Sequence, residues 1–320
     1  MFRKRFLFCV AASWYIGCGG ASSPTAPVSP DSAATQETYV VRSARPPFGV
    51  VPGVSVSVPG LGVVTSDASG TVTVSPGSGE DTLEFSAAGY VSPYRVTRAQ
   101  LADGIVHLLP DDAGMPWAWL FEGWYASKPD GYLWRPASGV AGVAVSDEML
   151  KDAIVYTALE RGVSVINRAQ SSVTYVVDDG GAIRMYRDSG DPIFDEPGYE
   201  NAWAVAWVHI SGGTVVGGRI VFKFWSLDEN QQHLLPSVVA HELAHLTGLY
   251  GHPPGGVMKE LAADFSPQEK LALLMAFLRP PGTRPPDDAA GGTIHRSGPA
   301  VPGLTSTGAS GEFQLCVLVR

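Results

Sequence analysis

The chain has 320 residues, of which 45% are hydrophobic and 17% are charged. This length and composition predict about two folded domains, and they exclude a disordered polyelectrolyte and a protein with many membrane spans. The 22 basic and 31 acidic side chains give a formal net charge of −9, whereas nucleic-acid binding requires a basic surface. We therefore expect a folded protein with no nucleic-acid partner.

Residues 1–17 have the features of an export signal. Basic residues at positions 3–5 precede an apolar run over 6–16, which is too short to span a bilayer. The run ends in Gly17 and Cys18, and this end resembles the lipobox of bacterial lipoproteins, which implies lipidation of Cys18. The implied location is the cell envelope, at the outer membrane, or the extracellular space, with membrane contact through the lipid anchor only. An ordinary signal peptide is the alternative.

Residues 18–38 are small, polar and proline-rich, which predicts a flexible tether behind the anchor. Residues 39–110 then alternate between apolar and polar side chains in short runs, at 54–58, 62–65, 71–74, 81–86 and 104–110. With the turn SDASG at 66–70 and AGY at 88–90, they resemble carboxypeptidase regulatory-like modules. That resemblance implies an all-β, prealbumin-like sandwich that serves as a spacer or a binding platform.

Residues 111–136 are rich in aromatic side chains, Trp119 and Trp134 among them, which are interpreted as filling the seam between two domains, and residues 111–132 are the expected connector. The second folded region, 133–282, mixes helices and strands. Ser146 is expected to cap a helix that Gly162 stops. Strands are predicted at 173–177, 182–186, 203–209 and 219–224, and a helix is predicted over 234–248.

The helix over 234–248 contains the pattern H-E-x-x-H. With 3.6 residues per turn, His241 and His245 lie on one face and can reach one cation, while Glu242 lies beside them. Apolar neighbours on the same helix are expected to exclude water from the site. The pattern predicts a metal site at which Glu242 exchanges a proton with a metal-activated water.

The residues after this helix extend the pattern. Gly248, His252 and Met258 resemble the continuation found in metzincin metalloproteases, H-E-x-x-H-x-x-G-x-x-H followed by a methionine-containing turn. His252 comes one residue later than the family's third histidine, so Glu260 and Asp264 are alternatives for the third ligand. The resemblance implies a Zn²⁺ site with Gly248 at the helix end and Met258 beneath the metal. The implied ligands are His241, His245 and His252.

The same resemblance implies an α+β fold, in which a zincin-like or metzincin-like catalytic domain follows the separate sandwich. It implies a zinc-dependent endopeptidase that acts on protein or peptide substrates with Glu242 as general base. It also implies that strand 203–209 is an outer edge that pairs with extended substrate. A helix through 278 is expected to begin at Ser266, whose spacing from Glu269 is that of a capping box.

Two other functions are compatible with the sequence. The chain can be a catalytically impaired zincin that acts as a metal-stabilised surface binding protein, or a binding protein whose working part is the sandwich. Residues 283–320 are expected to form a mostly flexible tail whose apolar end can add a strand, and no role follows for Cys316. The sequence predicts neither the cleavage specificity nor the oligomeric state.

Overall fold

A computed structural model describes residues 36–112, 115–121, 133–196, 199, 202–223 and 232–283, and the backbone of 310–319. The expectations for the export signal, for Cys18 and for most of the tether lie outside these residues. No helix within the described ranges is long and apolar enough to cross a membrane. The described residues form an α+β structure with three sheets.

The first part of the described chain is built from seven short strands. They are β1 (Glu37–Ser43), β2 (Ser55–Val58), β3 (Gly62–Thr65), β4 (Thr71–Val74), β5 (Thr82–Ser86), β6 (Tyr94–Thr97) and β7 (Ile105–Leu108). One sheet has the order β4-β1-β7 and the other has the order β3-β2-β5-β6. Apolar side chains from both sheets share a single core, so this part is an all-β sandwich.

The alternating runs of the sequence correctly predicted five of these strands. Strand β2, for example, alternates exposed serines with buried valines, as a strand with one solvent-facing side requires. Gly70 closes the predicted turn with φ +74°, and a Cβ at this position would lie 2.8 Å from the carbonyl oxygen of Val41. The turn therefore requires glycine for both its conformation and its packing.

A mixed sheet forms the second part of the molecule. Its strands are β8 (Arg135–Pro136), β9 (Gly139–Val145), β10 (Val173–Val177), β11 (Ile183–Arg187), β12 (Ala202–Ser211), β13 (Thr214–Phe222) and β14 (Ser310–Val319). The order is β10-β9-β11-β13-β12-β14, with β8 beside β13. The first four strands of this order are parallel, and β12 is antiparallel to both of its neighbours.

Six α-helices accompany these strands within the described residues. They are α1 (Ala118–Phe121), α2 (Asp147–Lys151), α3 (Ala153–Ala169), α4 (Leu235–Thr247), α5 (Gly256–Glu260) and α6 (Pro267–Met275). Helix α4 packs against α3 on one side and against β12, β13 and β14 of the sheet. Every residue of α4 except Pro236 is buried, so the helix lies at the centre of the larger core.

The prediction that one helix runs from Ser146 to Gly162 is wrong. The chain forms two helices, and the Asp152 carboxylate accepts hydrogen bonds from the first backbone N–H groups of α3, whereas the Ser146 side chain makes no capping bond. Gly162 is buried inside α3, where a Cβ would lie 2.5 Å from the Cβ of Val239. Gly162 therefore allows α3 to approach α4 closely instead of ending its own helix.

The prediction that residues 203–209 form the outer edge of the sheet is also wrong. Strand β14 pairs antiparallel along β12, from Ala202 opposite Val319 to Ser211 opposite Ser310. Residues 310–319 thus add a strand, as the apolar end of the predicted tail allowed, and β12 is the partner that the sequence left open. The apolar character of this segment was visible in the sequence, but its partner lies about a hundred residues earlier, and local patterns do not encode such pairings.

Candidate metal centre

Two histidines of the candidate centre lie one turn apart on α4. His241 and His245 have no solvent-exposed surface, and their Nε2 atoms are 3.0 Å apart. Pro236 lies in the first turn of the helix, and Gly248 ends it with φ +112°, a conformation that glycine adopts without strain. The helical spacing and the glycine stop agree with the sequence prediction.

The segment after Gly248 brings the third histidine to the other two. His252 Nε2 lies 3.2 Å from His241 Nε2, and the three imidazoles offer ligand atoms that all lie within 4.8 Å of one another. The structure therefore groups His252 with His241 and His245. The extra residue before His252 is accommodated by the loop.

Three hydrogen bonds fix the loop that carries His252. The Leu249 carbonyl oxygen lies 2.8 Å from His245 Nδ1, the Tyr250 hydroxyl donates to the Trp134 carbonyl, and the Gly251 N–H donates to the Trp119 carbonyl across 2.9 Å. The ring of Tyr250 also meets Trp134 edge-on. These contacts hold the loop between the helix and two other segments, and so fix the position of its histidine.

The partners of Nδ1 identify which nitrogen of His245 holds the proton. A carbonyl oxygen can only accept, so His245 Nδ1 must donate to Leu249, which leaves the Nε2 lone pair directed elsewhere. His241 Nδ1 faces the Val257 carbonyl at 3.4 Å in the same way. Two neutral imidazoles in this tautomer would oppose Nε2 lone pairs 3.0 Å apart. A cation between the nitrogens converts that repulsion into coordination.

Burial keeps these histidines neutral, which is the form that binds metals. Desolvation lowers the pKa of His241 to about 3, with the nearby His252 as a smaller cause. Desolvation likewise lowers the pKa of His252 to about 4, with the positive charge of Lys259 as a smaller cause. Both side chains therefore offer lone pairs at neutral pH.

Glu242 is the most unusual polar residue of the centre. It is fully buried beside His241, and neither carboxylate oxygen has a hydrogen-bond partner among the described residues. Burial raises its pKa well above the ordinary value. Burial of a carboxylate without hydrogen-bond partners lowers the free energy of unfolding, and a cation or a polar ligand next to the carboxylate reduces this loss. The donor set and this carboxylate thus fit a metal ion.

A second buried carboxylate, that of Glu269, holds the backbone next to the three histidines. Glu269 accepts hydrogen bonds from the backbone N–H groups of Met258 at 2.7 Å and Val257 at 3.2 Å, and of Ser266 at 2.6 Å. Gly256 has φ +75°, and a Cβ there would lie 1.8 Å from a Glu269 oxygen. Glu269 therefore fixes the backbone segment whose Val257 carbonyl faces His241.

The structure separates the alternative ligands from the cluster. Asp264 accepts hydrogen bonds from Lys270 and from the Phe265 backbone, and Glu260 is exposed on α5. His209 is exposed on β12 and His233 is exposed before α4. Met258 is buried in the larger core directly after Val257. Of these residues, Met258 is the one that is tied to the centre, through the hydrogen bond from its backbone N–H to Glu269.

Sequence reasoning missed three supports of the site. Trp119 and Trp134 were interpreted as seam-filling aromatics, yet their carbonyls anchor the loop before His252. Glu269 was recognised only as part of a capping box with Ser266, which the structure confirms. No local pattern indicates the second function of Glu269, because its partners Val257 and Met258 are brought to it by the loop after α5.

Comparisons with known proteins add little to this geometry. No protein-family model matches the chain, and no curated protein matches it. One similar solved structure is an inactive mutant of a family 20 exo-β-N-acetylglucosaminidase from Vibrio harveyi, with 13% identity and a TM-score of 0.23. The match covers 68% of this chain and spans 38% of that chain.

Proposed function

We propose that this protein is a zinc-dependent endopeptidase that hydrolyses peptide bonds in proteins. The observation that supports it is the convergence of three imidazoles, two fully buried and one half-buried, beside a carboxylate that has no partner among the described residues. The metzincin-like spacing of His241, Glu242, His245 and Gly248 supports the same reaction class. Strand β12, which has ten residues, lies next to the helix that carries them.

Zinc is the proposed ion because of the donor set. Three nitrogen ligands without thiolates or coordinating carboxylates suit a borderline cation rather than Ca²⁺ or Mg²⁺. Tetrahedral zinc with bonds of about 2.0–2.1 Å places neighbouring nitrogens roughly 3.3 Å apart. The separations of 3.0 Å and 3.2 Å are close to that value. Three protein ligands also leave a fourth position for a reactant, as in catalytic zinc sites.

The three histidines and Glu242 would have different roles in hydrolysis. His241, His245 and His252 would hold the metal, which when bound supplies Lewis-acid polarisation of the scissile carbonyl and acidification of water. Glu242 would accept the proton of the attacking water and donate it to the leaving amine. A nearby cation favours the ionised form of Glu242, which offsets the effect of its burial. Among the described residues, no hydrogen-bond donor competes with the water for Glu242.

We also propose that this activity is exported. The export signal and Cys18 predict a lipid-anchored protein of the cell envelope. Metabolic labelling with a radioactive fatty acid should mark the chain, and Cys18→Ala should abolish the label. Incorporation that survives Cys18→Ala would contradict lipidation at this residue.

The decisive test of the proposed function compares two glutamates. The full chain should bind about one zinc and cleave an unfolded protein such as casein, and a chelator should stop the cleavage. Glu242→Ala should retain the zinc and lose cleavage by roughly 10³-fold or more, because the general base is gone. The matched control, Glu260→Ala, removes an exposed carboxylate from α5 and should change neither quantity. Cleavage that survives Glu242→Ala would contradict the proposal.

A further inference from the structure

The outer edge of the mixed sheet is formed by a segment that is distant in the sequence. Strand β14 covers β12 over its whole length, with the Ala202 and Ser211 ends of β12 opposite Val319 and Ser310. It also contacts α4, the helix that carries His241 and His245. Strand β14 is therefore an edge strand of the sheet that lies against the helix of the candidate centre.

The geometry of this pairing is that of a peptide added to a sheet. The pairing is antiparallel, and the register shifts near Ala202 and after Ala206, so the ladder is interrupted by two irregularities. Such an edge holds an extended polypeptide through backbone hydrogen bonds, which any sequence can form. A second polypeptide can use the same β12 groups only if β14 leaves them.

The connection of β14 to the remaining structure is long. Helix α6 ends at Met275 and the described chain continues to Thr283, after which 26 residues precede Ser310. A chain of that length spans up to roughly 85 Å when extended. Release of β14 from β12 therefore requires none of the other described strands of the sheet to unfold.

We propose that β14 is an internal ligand of the β12 edge that blocks access of extended polypeptide until it is displaced. The consequence of this inference rests on the proposed peptidase function, because the blocked edge lies against α4, which carries His241 and His245. The competitor is an extended, largely uncharged polypeptide segment, like residues 310–319 themselves, which contain Glu312 as their one charged side chain. Displacement of β14 would then couple substrate binding to activation.

The first experiment measures binding without cleavage. Full-length chains that carry Glu242→Gln are titrated with a fluorescent peptide of the sequence SGEFQLCVLV. Val317→Pro removes one N–H from β14 opposite Val205 and disfavours the strand. The matched control, Thr305→Pro, lies outside β14. We expect Val317→Pro to bind the peptide at least tenfold more tightly than the control. Equal affinities would overturn the proposal.

The second experiment locks β14 in the folded chain. Cys316 is the Cα partner of Ala206, and opposed antiparallel residues have Cα separations that a disulfide can span. In a full chain with Cys9→Ser and Cys18→Ser, Ala206→Cys should form a disulfide with Cys316. Val208→Cys, whose partner is Phe313, is the matched control. Peptide mapping by mass spectrometry identifies the bond.

The two experiments separate this inference from the proposed function. With Glu242 intact, oxidised Ala206→Cys should cleave casein at least tenfold more slowly than the same protein reduced with a phosphine, and the control should not change. Equal rates would overturn the inference while leaving the peptidase proposal intact. If no variant cleaves but the peptide binds as expected, the peptidase proposal fails and the internal ligand stands. If Val317→Pro does not fold, the disulfide variant alone decides.

Discussion

The sandwich and the core around α4 both bury polar side chains, but they satisfy them differently. In the sandwich, Ser66 bonds to the backbone of Val51 and Val54, and Arg98 pairs with Glu37. In the larger core, Glu242 has no partner among the described residues, although it is equally buried. Because unpaired buried charges are costly, a fold keeps them where a ligand compensates for them.

The difference separates polar groups that stabilise the fold from a group that a ligand must compensate. In the sandwich, Ser66 completes a turn and Arg98 an ion pair, so we expect removal of either side chain to affect folding. The carboxylate of Glu242, next to His241 and without a partner in the described part of the chain, instead lowers the free energy of unfolding of the metal-free protein. Burial of the neighbouring apolar side chains must offset this loss. Four predictions test this contrast between the sandwich and the metal centre.

Loss of one imidazole should have the largest effect. His245→Ala removes a ligand that the Leu249 carbonyl orients, and we expect zinc affinity to fall by roughly 10³-fold or more, which corresponds to about 4 kcal/mol. His209→Ala, which removes an exposed histidine of β12, is the matched control. Competition with a chromophoric chelator measures both affinities. Unchanged affinity in His245→Ala would show that the cluster does not bind the metal.

A cavity in the sandwich should destabilise the protein without affecting the metal. Leu83 is completely buried between the two small sheets, and Leu83→Ala should lower the free energy of unfolding of that region by about 3 kcal/mol. Zinc affinity should remain within twofold of the unaltered chain. Denaturant unfolding with and without zinc checks both statements. A parallel loss of zinc affinity would show that the two cores are not energetically separate.

Acid should destabilise the metal-free protein through its buried histidines. The folded pKa values of His241 and His252 lie below the value of about 6.5 for a free histidine. The unfolded chain then binds more protons, so stability is complete above pH 6.5 and falls as the pH decreases toward 4. Each of the two histidines should lower the free energy of unfolding by up to about 2 kcal/mol at pH 5.

Thermal unfolding of the chelator-treated chain between pH 8 and 5 measures this loss. Burial also lowers the pKa of His107 in the sandwich. The variant His107→Gln therefore measures how much this histidine contributes to the loss of stability in acid. His252→Gln should flatten the pH dependence, because one of the proton-binding groups is gone. A stability that rises on acidification would contradict the sign of the prediction.

The backbone support of the site should have the smallest effect. Glu269→Gln keeps one acceptor oxygen but weakens the charge-assisted bonds to Val257 and Met258. Zinc affinity should fall by about tenfold, as is usual for groups that orient ligands. Gln268→Glu, at an exposed position beside it, is the control. If zinc affinity is unchanged while stability falls, Glu269 supports only the fold.

The parts of the fold that local chemistry determines were predictable from the sequence. The alternation in β2 and β4, the H-E-x-x-H spacing and the stop at Gly248 depend on neighbouring residues, and the structure has them where expected. Strand β9 lies between β10 and β11 but is rich in glycine and alanine, which gives little strand signal. The sequence likewise favoured Gly162 as a helix end, because its close contact with Val239 is visible only in three dimensions.

The same limit applies to the candidate centre. His252 follows the helix at a spacing that allowed other ligands, and the loop contacts that orient it come from Trp119 and Trp134, more than a hundred residues earlier. The position of β14 was equally inaccessible, since strand pairing between distant segments depends on the whole sheet. The titratable residues were thus predicted, whereas the backbone groups that hold them were not.

The most direct test of the central claim is a crystal structure of the zinc-loaded chain with anomalous data collected at the zinc edge. We expect one anomalous peak about 2.1 Å from the Nε2 atoms of His241, His245 and His252. A peak at Glu260 or Asp264, or no zinc at the three histidines, would contradict it.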